Sequence, residues 1–450
     1  MFVLGRGRRD QNGSRLQPRR LRMKRFCRVA VLALFALRLA EGILLAKPAP
    51  RSGSREPVKS QARPASRPAA ARKSASPAKK PVSQASRKPV ARIVAGSKST
   101  TRKITRPVRY VRDRKGRLRR VTYYNPWKEP SYADSTVGDR IDGEDLEVRR
   151  AAVEALGPLN GSVTVVDTAT GRILSVVNQK VAFSGGYTPC STIKVFVGMA
   201  GLSEGLIERE TPIRVSRRLS LNLTDALARS DNPYFAKLGQ QLGFERVTYY
   251  ARLFGLGEPA TLGFAGETPG TLPDAPPADG VGMMSSFGHG VKLSPLQLAA
   301  GMAALANGGT LHYLQYPQSR EDLESFVPRV KRHLDIKQWL PEIKPGLLAA
   351  VDHGTARRAG MDIEEPILGK TGTCTDTSSP THLGWFGAFN DTPKNRIAVA
   401  VLLTGGRPIN GPVASGVAGQ LFRRLRESGY FERERPASPA TLISEANSAN

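Results

Sequence analysis

The net positive charge of this chain is confined to its first 128 residues, and that decides which part can fold. The 450 residues hold 68 Lys+Arg against 38 Asp+Glu, a formal net charge of +30. Residues 1–128 carry 36 of the basic and 4 of the acidic groups, leaving 32 basic and 34 acidic for the other 322. The C-terminal part is near neutral, rich in Gly, Ala, Leu and Val, and long enough to bury a substantial core. Residues 47–105 are dominated by Pro, Ala, Ser, Arg and Lys. They offer too few apolar groups to offset the entropy of ordering, and they read as a disordered basic tether. Its charge has two readings. One is a grip on anionic wall polymers or a membrane surface; the other is a solvated linker kept extended by self-repulsion. No aromatic residue is interleaved with the basic ones. Nucleic acid is therefore not an expected partner, since base stacking needs such rings.

Residues 1–46 have the form of an export segment. Lys24, Arg25 and Arg28 flank an unbroken apolar run over 29–37, which Arg38 and Glu41 then interrupt. A spanning helix needs about 20 consecutive apolar residues. The run is shorter and fits a signal-peptide core, with Ala40, Gly42 and Ala46 as small residues for cleavage. An uncleaved anchor is the alternative. The stretch before Met23 is long and basic for a signal, which leaves Met1 and Met23 as alternative starts. Periplasmic or cell-envelope location follows as the expectation. Of three cysteines, Cys27 precedes the apolar run and is not placed for lipid attachment. Cys190 and Cys374 lie in the neutral part, candidates for pairing in an oxidising compartment.

Residues 106–140 read as a connector, still basic but with Tyr110, Tyr123, Tyr124 and Trp127, on the surface of the folded domain. The fold is expected from near Asp142. Asp142-Gly143-Glu144-Asp145 places acidic groups at the start of an amphipathic helix over 146–156, where they suit the helix dipole. Two β-rich runs, 162–166 and 173–177, flank the turn residues 167–171 and predict a hairpin. A second strand pair is expected over 382–389 and 396–404, and a closing helix over 413–425. Residues 191–306 are mostly helical by periodicity. Strands at both ends with helices between predict an α+β domain whose sheet joins distant segments. It is expected to span 141–432, followed by a flexible tail, 433–450.

Three short segments carry chemistry. In Ser191-Thr192-Ile193-Lys194, residues three apart share a helix face, so the hydroxyl and the amine can meet. A serine is a weak nucleophile until a neighbour takes its proton. A lysine can do so once burial lowers its pKa, and Ile193, Val195 and Phe196 suit that. The bland reading is chance: Ser76 and Lys79 repeat the spacing in the tether. In Ser230-Asp231-Asn232 a hydroxyl can relay a proton and an amide can hold a peptide, but all three types also cap helices. Ser220-Leu221-Asn222 is a decoy nearby. Lys370-Thr371-Gly372-Thr373 reads as a strand on which Gly372 admits close approach and the threonines share a face. With Lys370 they can bind a carboxylate; an ordinary edge strand is the alternative.

Together, in this order, the three resemble the set found in penicillin-binding proteins and class A β-lactamases. Flanking segments strengthen the resemblance to the penicillin-binding protein transpeptidase domain from about Gly161 to Leu425. They are Tyr187-Thr188-Pro189, the segments 266–273 and 292–299, Gly354-Thr355-Ala356 and Gly384-Trp385-Phe386-Gly387. The resemblance implies an antiparallel sheet of about five strands flanked by helices. It implies attack by Ser191 on the D-Ala-D-Ala end of a peptidoglycan stem peptide, Lys194 as base, and Ser230 passing the proton on with help from Lys370. It makes Asn232, Thr371, Gly372 and Thr373 substrate-binding, with an oxyanion hole from the Ser191 and Thr373 amides. β-Lactams would mimic the donor, and no metal or cofactor is implied. A D,D-transpeptidase is the leading expectation. A D,D-carboxypeptidase, a β-lactamase or β-lactam sensor of the same fold, and a non-catalytic wall-binding scaffold are the rivals. Residue 190 is more often glycine in the family. Here Cys190 and Cys374 each adjoin an implied oxyanion donor, which gives two readings: a disulfide, needing Cα atoms roughly 4.4–6.8 Å apart, or two buried thiols.

Overall fold

The computed structural model describes residues 108–112, 115–122, 127–376, 380–392 and 396–433. The export segment, the basic tether, the second Ser-x-x-Lys and the C-terminal tail beyond Arg433 lie outside these residues. Among the described residues no helix is long and apolar enough to cross a membrane.

The strands of one sheet are largely apolar runs, apart from the threonine-rich third. These are β1 (Gly161–Asp167), β2 (Ile173–Val177), β3 (Ile367–Asp376), β4 (Thr381–Asn390) and β5 (Ile397–Gly405). They pair antiparallel throughout, in the order β2-β1-β5-β4-β3. Successive side chains of a strand point to opposite faces. In β5, Ala398, Ala400 and Leu402 enter one apolar cluster, and Ile397, Val399, Val401 and Leu403 enter another. A strand buried on both faces needs apolar residues at every position, and β5 is buried along its whole length.

The helices that build the site and its support are α1 (Leu146–Leu156), α2 (Ile193–Ser203), α3 (Leu223–Arg229), α4 (Asn232–Leu253, broken at Gly243), α5 (Pro295–Ala306), α6 (Leu340–Asp352) and α7 (Gly411–Glu427). α1 and α7 cover one face of the sheet; residues from α2 to α6 join the cluster on the other. Asp145 starts α1 by accepting from the Glu147 and Val148 amides at 3.1 and 3.2 Å. Ser294 and Gln297 start α5 with a reciprocal capping box. α5 is buried at every residue and packs beneath the sheet. This is the α+β architecture expected from the sequence, and the helix over 146–156 and the first hairpin fall where the pattern placed them.

The packed body begins earlier than Asp142. Ala133 donates to the Pro158 carbonyl at 3.1 Å, and Asn160 to the Ser131 carbonyl at 3.0 Å. The Asp139 side chain, 3% exposed, pairs with Arg149 at 2.8 Å and accepts from the Asn178 and Gln179 amides. Glu144, also buried, accepts from the Val176 amide and the Ser175 hydroxyl, and lies 3.6 Å from Arg149. Hydrogen bonds and charge hold this segment rather than aliphatic burial, so its composition conceals it. Replacing Arg149 by Met leaves two buried carboxylates without their cation. The expected loss is about 3–5 kcal/mol, read as a fall in the denaturant midpoint by circular dichroism.

Candidate active site

Cys190–Thr192 form a single 3-10 turn leading into α2, and the Thr192 hydroxyl donates to the Pro189 carbonyl at 2.7 Å. Ser191 therefore stands at a helix N-terminus, where developing negative charge is favoured. It is 8% exposed. Lys194 follows one turn later and is fully buried. Its ammonium does not donate to Ser191, the partner suggested by their shared helix face. It donates to the Ser230 carbonyl at 2.7 Å, the Ser230 hydroxyl at 3.2 Å and Asn232 Oδ1 at 2.6 Å. Three acceptors there match its three N–H groups. Phe235 presents its ring 5.7 Å away.

Those acceptors are held by a tight helix-to-helix turn. Ser230 ends α3 in the left-handed region, φ 57°. Asp231 then caps α4, accepting from the Tyr234 amide at 2.8 Å, with Pro233 in the first turn. Capping and chemistry compete for this tripeptide in the sequence. The fold assigns capping to Asp231 and turns Ser230 and Asn232 toward Lys194. In the decoy, Asn222 simply caps α3 through the Asp225 amide.

β3 closes the site at the edge of the sheet. Lys370 is fully buried and donates to the Thr371 carbonyl at 3.0 Å. The Thr371 hydroxyl bonds that of Thr355 at 2.6 Å, and the Thr355 amide donates to the Ala228 carbonyl at 3.0 Å. A side chain at Gly354 would overlap the Ala228 carbonyl, so glycine allows the 354–355 turn to tie β3 to the end of α3. A Cβ at Gly372 would lie 3.0 Å from the Pro189 carbonyl and 3.2 Å from Cys190 Cβ. Strand and serine turn thus meet almost backbone to backbone. Cys190 and Cys374 are joined by a disulfide with Cα atoms 5.6 Å apart. The Trp385 indole donates to the Thr188 carbonyl at 2.9 Å, and Lys292 bridges the Thr188 hydroxyl and Asp376 at 3.3 and 3.2 Å. Thr373 is exposed, and its hydroxyl accepts from the Gly411 amide at the start of α7. Beyond it, a cavity of about 450 Å³ opens beside Tyr187, Asp376, Thr381 and Leu383.

Burial pushes the Lys194 ammonium down to about 7, against the opposing pull of the Asp231 charge. Lys370 is driven well below the usual lysine range, first by burial and then by the charge of Lys194. Near neutral pH a substantial share of Lys194 is thus an uncharged amine between a hydroxyl and an amide, one helical turn from Ser191. Such an amine can accept a proton, and its protonated form can donate one to Ser230.

Sequence reasoning missed the roles of Thr355, Lys292 and Trp385. Their segments carried the family resemblance, but nothing local indicates that the Thr355 hydroxyl meets β3, since that contact exists only in the fold.

With this geometry in place, the comparisons give the class. Residues 161–427 match the family model of the penicillin binding protein transpeptidase domain. The chain belongs to that family. It is 28% identical over 297 residues to stage V sporulation protein D of Bacillus subtilis, and 26% identical over 358 residues to peptidoglycan D,D-transpeptidase PbpA of Mycobacterium tuberculosis. The alignments take in 58% and 66% of this chain, but 45% and 72% of those proteins. The fold is shared with the solved D,D-transpeptidase domain of an Eggerthella lenta peptidoglycan glycosyltransferase, at TM-score 0.52, 20% identity and coverage of 72% of this chain and 96% of that one. It is shared likewise with penicillin-binding protein A of M. tuberculosis, at TM-score 0.54, 23% identity and coverage of 63% and 78%.

Asp231→Asn retains a good capping residue while removing the charge that holds the Lys194 pKa up. Lys194 should then titrate below its wild-type midpoint of about 7. NMR titration of the labelled lysine checks this; an unchanged or raised midpoint contradicts it.

Proposed function

We propose that the domain is a serine acyl-transferase acting on the D-Ala-D-Ala ends of peptidoglycan stem peptides. In this reading it crosslinks them as a D,D-transpeptidase in a cell envelope reached by export. Lys194 carries the assignment: a buried amine titrating near neutrality, held by Ser230 and Asn232 one turn from Ser191.

Neutral Lys194 takes the Ser191 proton as Oγ bonds to the carbonyl carbon of the penultimate D-alanine. The Ser191 and Thr373 amides hold the resulting oxyanion, each worth a few kcal/mol in such sites. The proton passes from Lys194 through the Ser230 hydroxyl to the nitrogen of the terminal D-alanine. That C–N bond breaks, leaving an ester on Ser191. An amine from a second stem attacks the ester, and Ser191 recovers its proton. Thr371, Thr373 and Lys370 receive the terminal carboxylate, with Asn232 and Gly372 contacting the peptide backbone. The outer edge of β3 can pair with the extended donor, whose remaining residues run toward the cavity beside Asp376.

β-Lactams resemble this donor, so a fluorescent penicillin should label the wild type covalently and leave Ser191→Ala unlabelled. Label on Ser191→Ala would overturn the assignment. Protonated Lys194 cannot accept a proton, so acylation should fall by about tenfold per pH unit below the Lys194 midpoint and level off above it. Incubating a D-Ala-D-Ala peptide with an amine acceptor, followed by mass spectrometry, separates transpeptidation (amide product) from carboxypeptidation (free acid). Label lost within seconds, with release of hydrolysed penicillin, marks a β-lactamase instead.

A further inference from the structure

Among the described residues only Asn178, Cys190 and Ser230 take positive φ without being glycine. Asparagine tolerates that region; other side chains occupy it only where the surroundings hold them. Cys190 has φ 52°, is fully buried, and immediately precedes Ser191. Its restraint comes from β3: the sulfur bond to Cys374 and the close approach at Gly372. Cys374 is the residue after Thr373. One covalent bond therefore joins the neighbours of both proposed oxyanion donors, across a sequence separation of 184 residues.

We propose that the Cys190–Cys374 disulfide is a positioning element of the acyl-transfer site, which makes acylation of Ser191 conditional on oxidation of this pair. Without the bond, Cys190 relaxes toward negative φ, the serine turn rotates, and the Ser191 amide leaves the point it shares with Thr373. Closing the bond removes two electrons and two protons from the thiols, taken up by a disulfide-bearing oxidant that becomes two thiols. Half-buried Cys374 is the sulfur that such an exchange partner reaches, because Cys190 is enclosed. The chain would stay inert toward substrate until it arrives where thiols are oxidised. This inference rests on the acyl-transfer reading above.

The test is the rate of acylation by fluorescent penicillin, with melting temperature measured alongside. Dithiothreitol, which becomes its cyclic disulfide and leaves two cysteine thiols, should slow the oxidised wild type by about tenfold or more, as expected for small misplacements of reacting groups. Cys374→Ser should be equally slow and indifferent to dithiothreitol. Of two uncrosslinked double variants, Cys190→Gly/Cys374→Ser should react several-fold faster than Cys190→Ala/Cys374→Ser, since glycine adopts positive φ freely. A purely structural bond would lower the melting temperature while reduced wild type kept its acylation rate, and that result overturns the proposal alone. No label in either redox state overturns the acyl-transfer reading and this one with it. If a variant fails to fold, the dithiothreitol comparison on the wild type still decides.

Discussion

An ammonium group buried among a carbonyl, a hydroxyl and an amide is the interaction on which the rest of this site depends. Lys194 cannot be placed there without cost: burial removes its hydration, and the compensation is three hydrogen bonds and the nearby charge of Asp231. That balance leaves the amine close to half-protonated at neutral pH. Every neighbouring element keeps the balance in place. α2 fixes the depth of the lysine, the α3–α4 turn supplies its acceptors, and β3 brings a second buried lysine whose own ionisation it opposes. A looser pocket would admit water and return Lys194 to the ordinary lysine range.

The local signals of the chain were legible because each is a property of a short stretch. The helix over 146–156 and the hairpin of β1 and β2 follow from pattern and turn chemistry, while the three polar segments were legible through their resemblance, in order, to the penicillin-binding protein set. Two kinds of feature were not. Residues 127–140 look like a linker because their anchorage is polar, with Asp139 and Ser131 engaged through specific hydrogen bonds. The partners of Lys194 were also hidden. Helical spacing places it beside Ser191, but which acceptors it meets depends on a turn 36 residues away in sequence. Thr355 is similar, since its bond to Thr371 needs β3 and the end of α6 in place together.

Close backbone approach is the other device at work. Gly372 lets the serine turn lie against β3, and Gly354 lets the 354–355 turn lie against the end of α3. Both remove a side chain where two main chains must touch, and together they bring the serine, the serine–asparagine turn and the strand into one small volume.

The sheet order also governs how the chain comes to its native state. β1 pairs with β5, Val163 lying opposite Val401, with the whole helical middle between them in sequence. Chains dominated by such distant pairings fold slowly, because loop closure precedes the reward. In a polypeptide made from its N-terminus, the residues of β1 and β2 emerge long before those of β5. Until β5 is made, the side of β1 that it pairs in the native sheet has no strand partner, and its amides, carbonyls and valines are open to other chains. The last quarter of the sequence thus completes the protein's own sheet and withdraws that surface from intermolecular pairing.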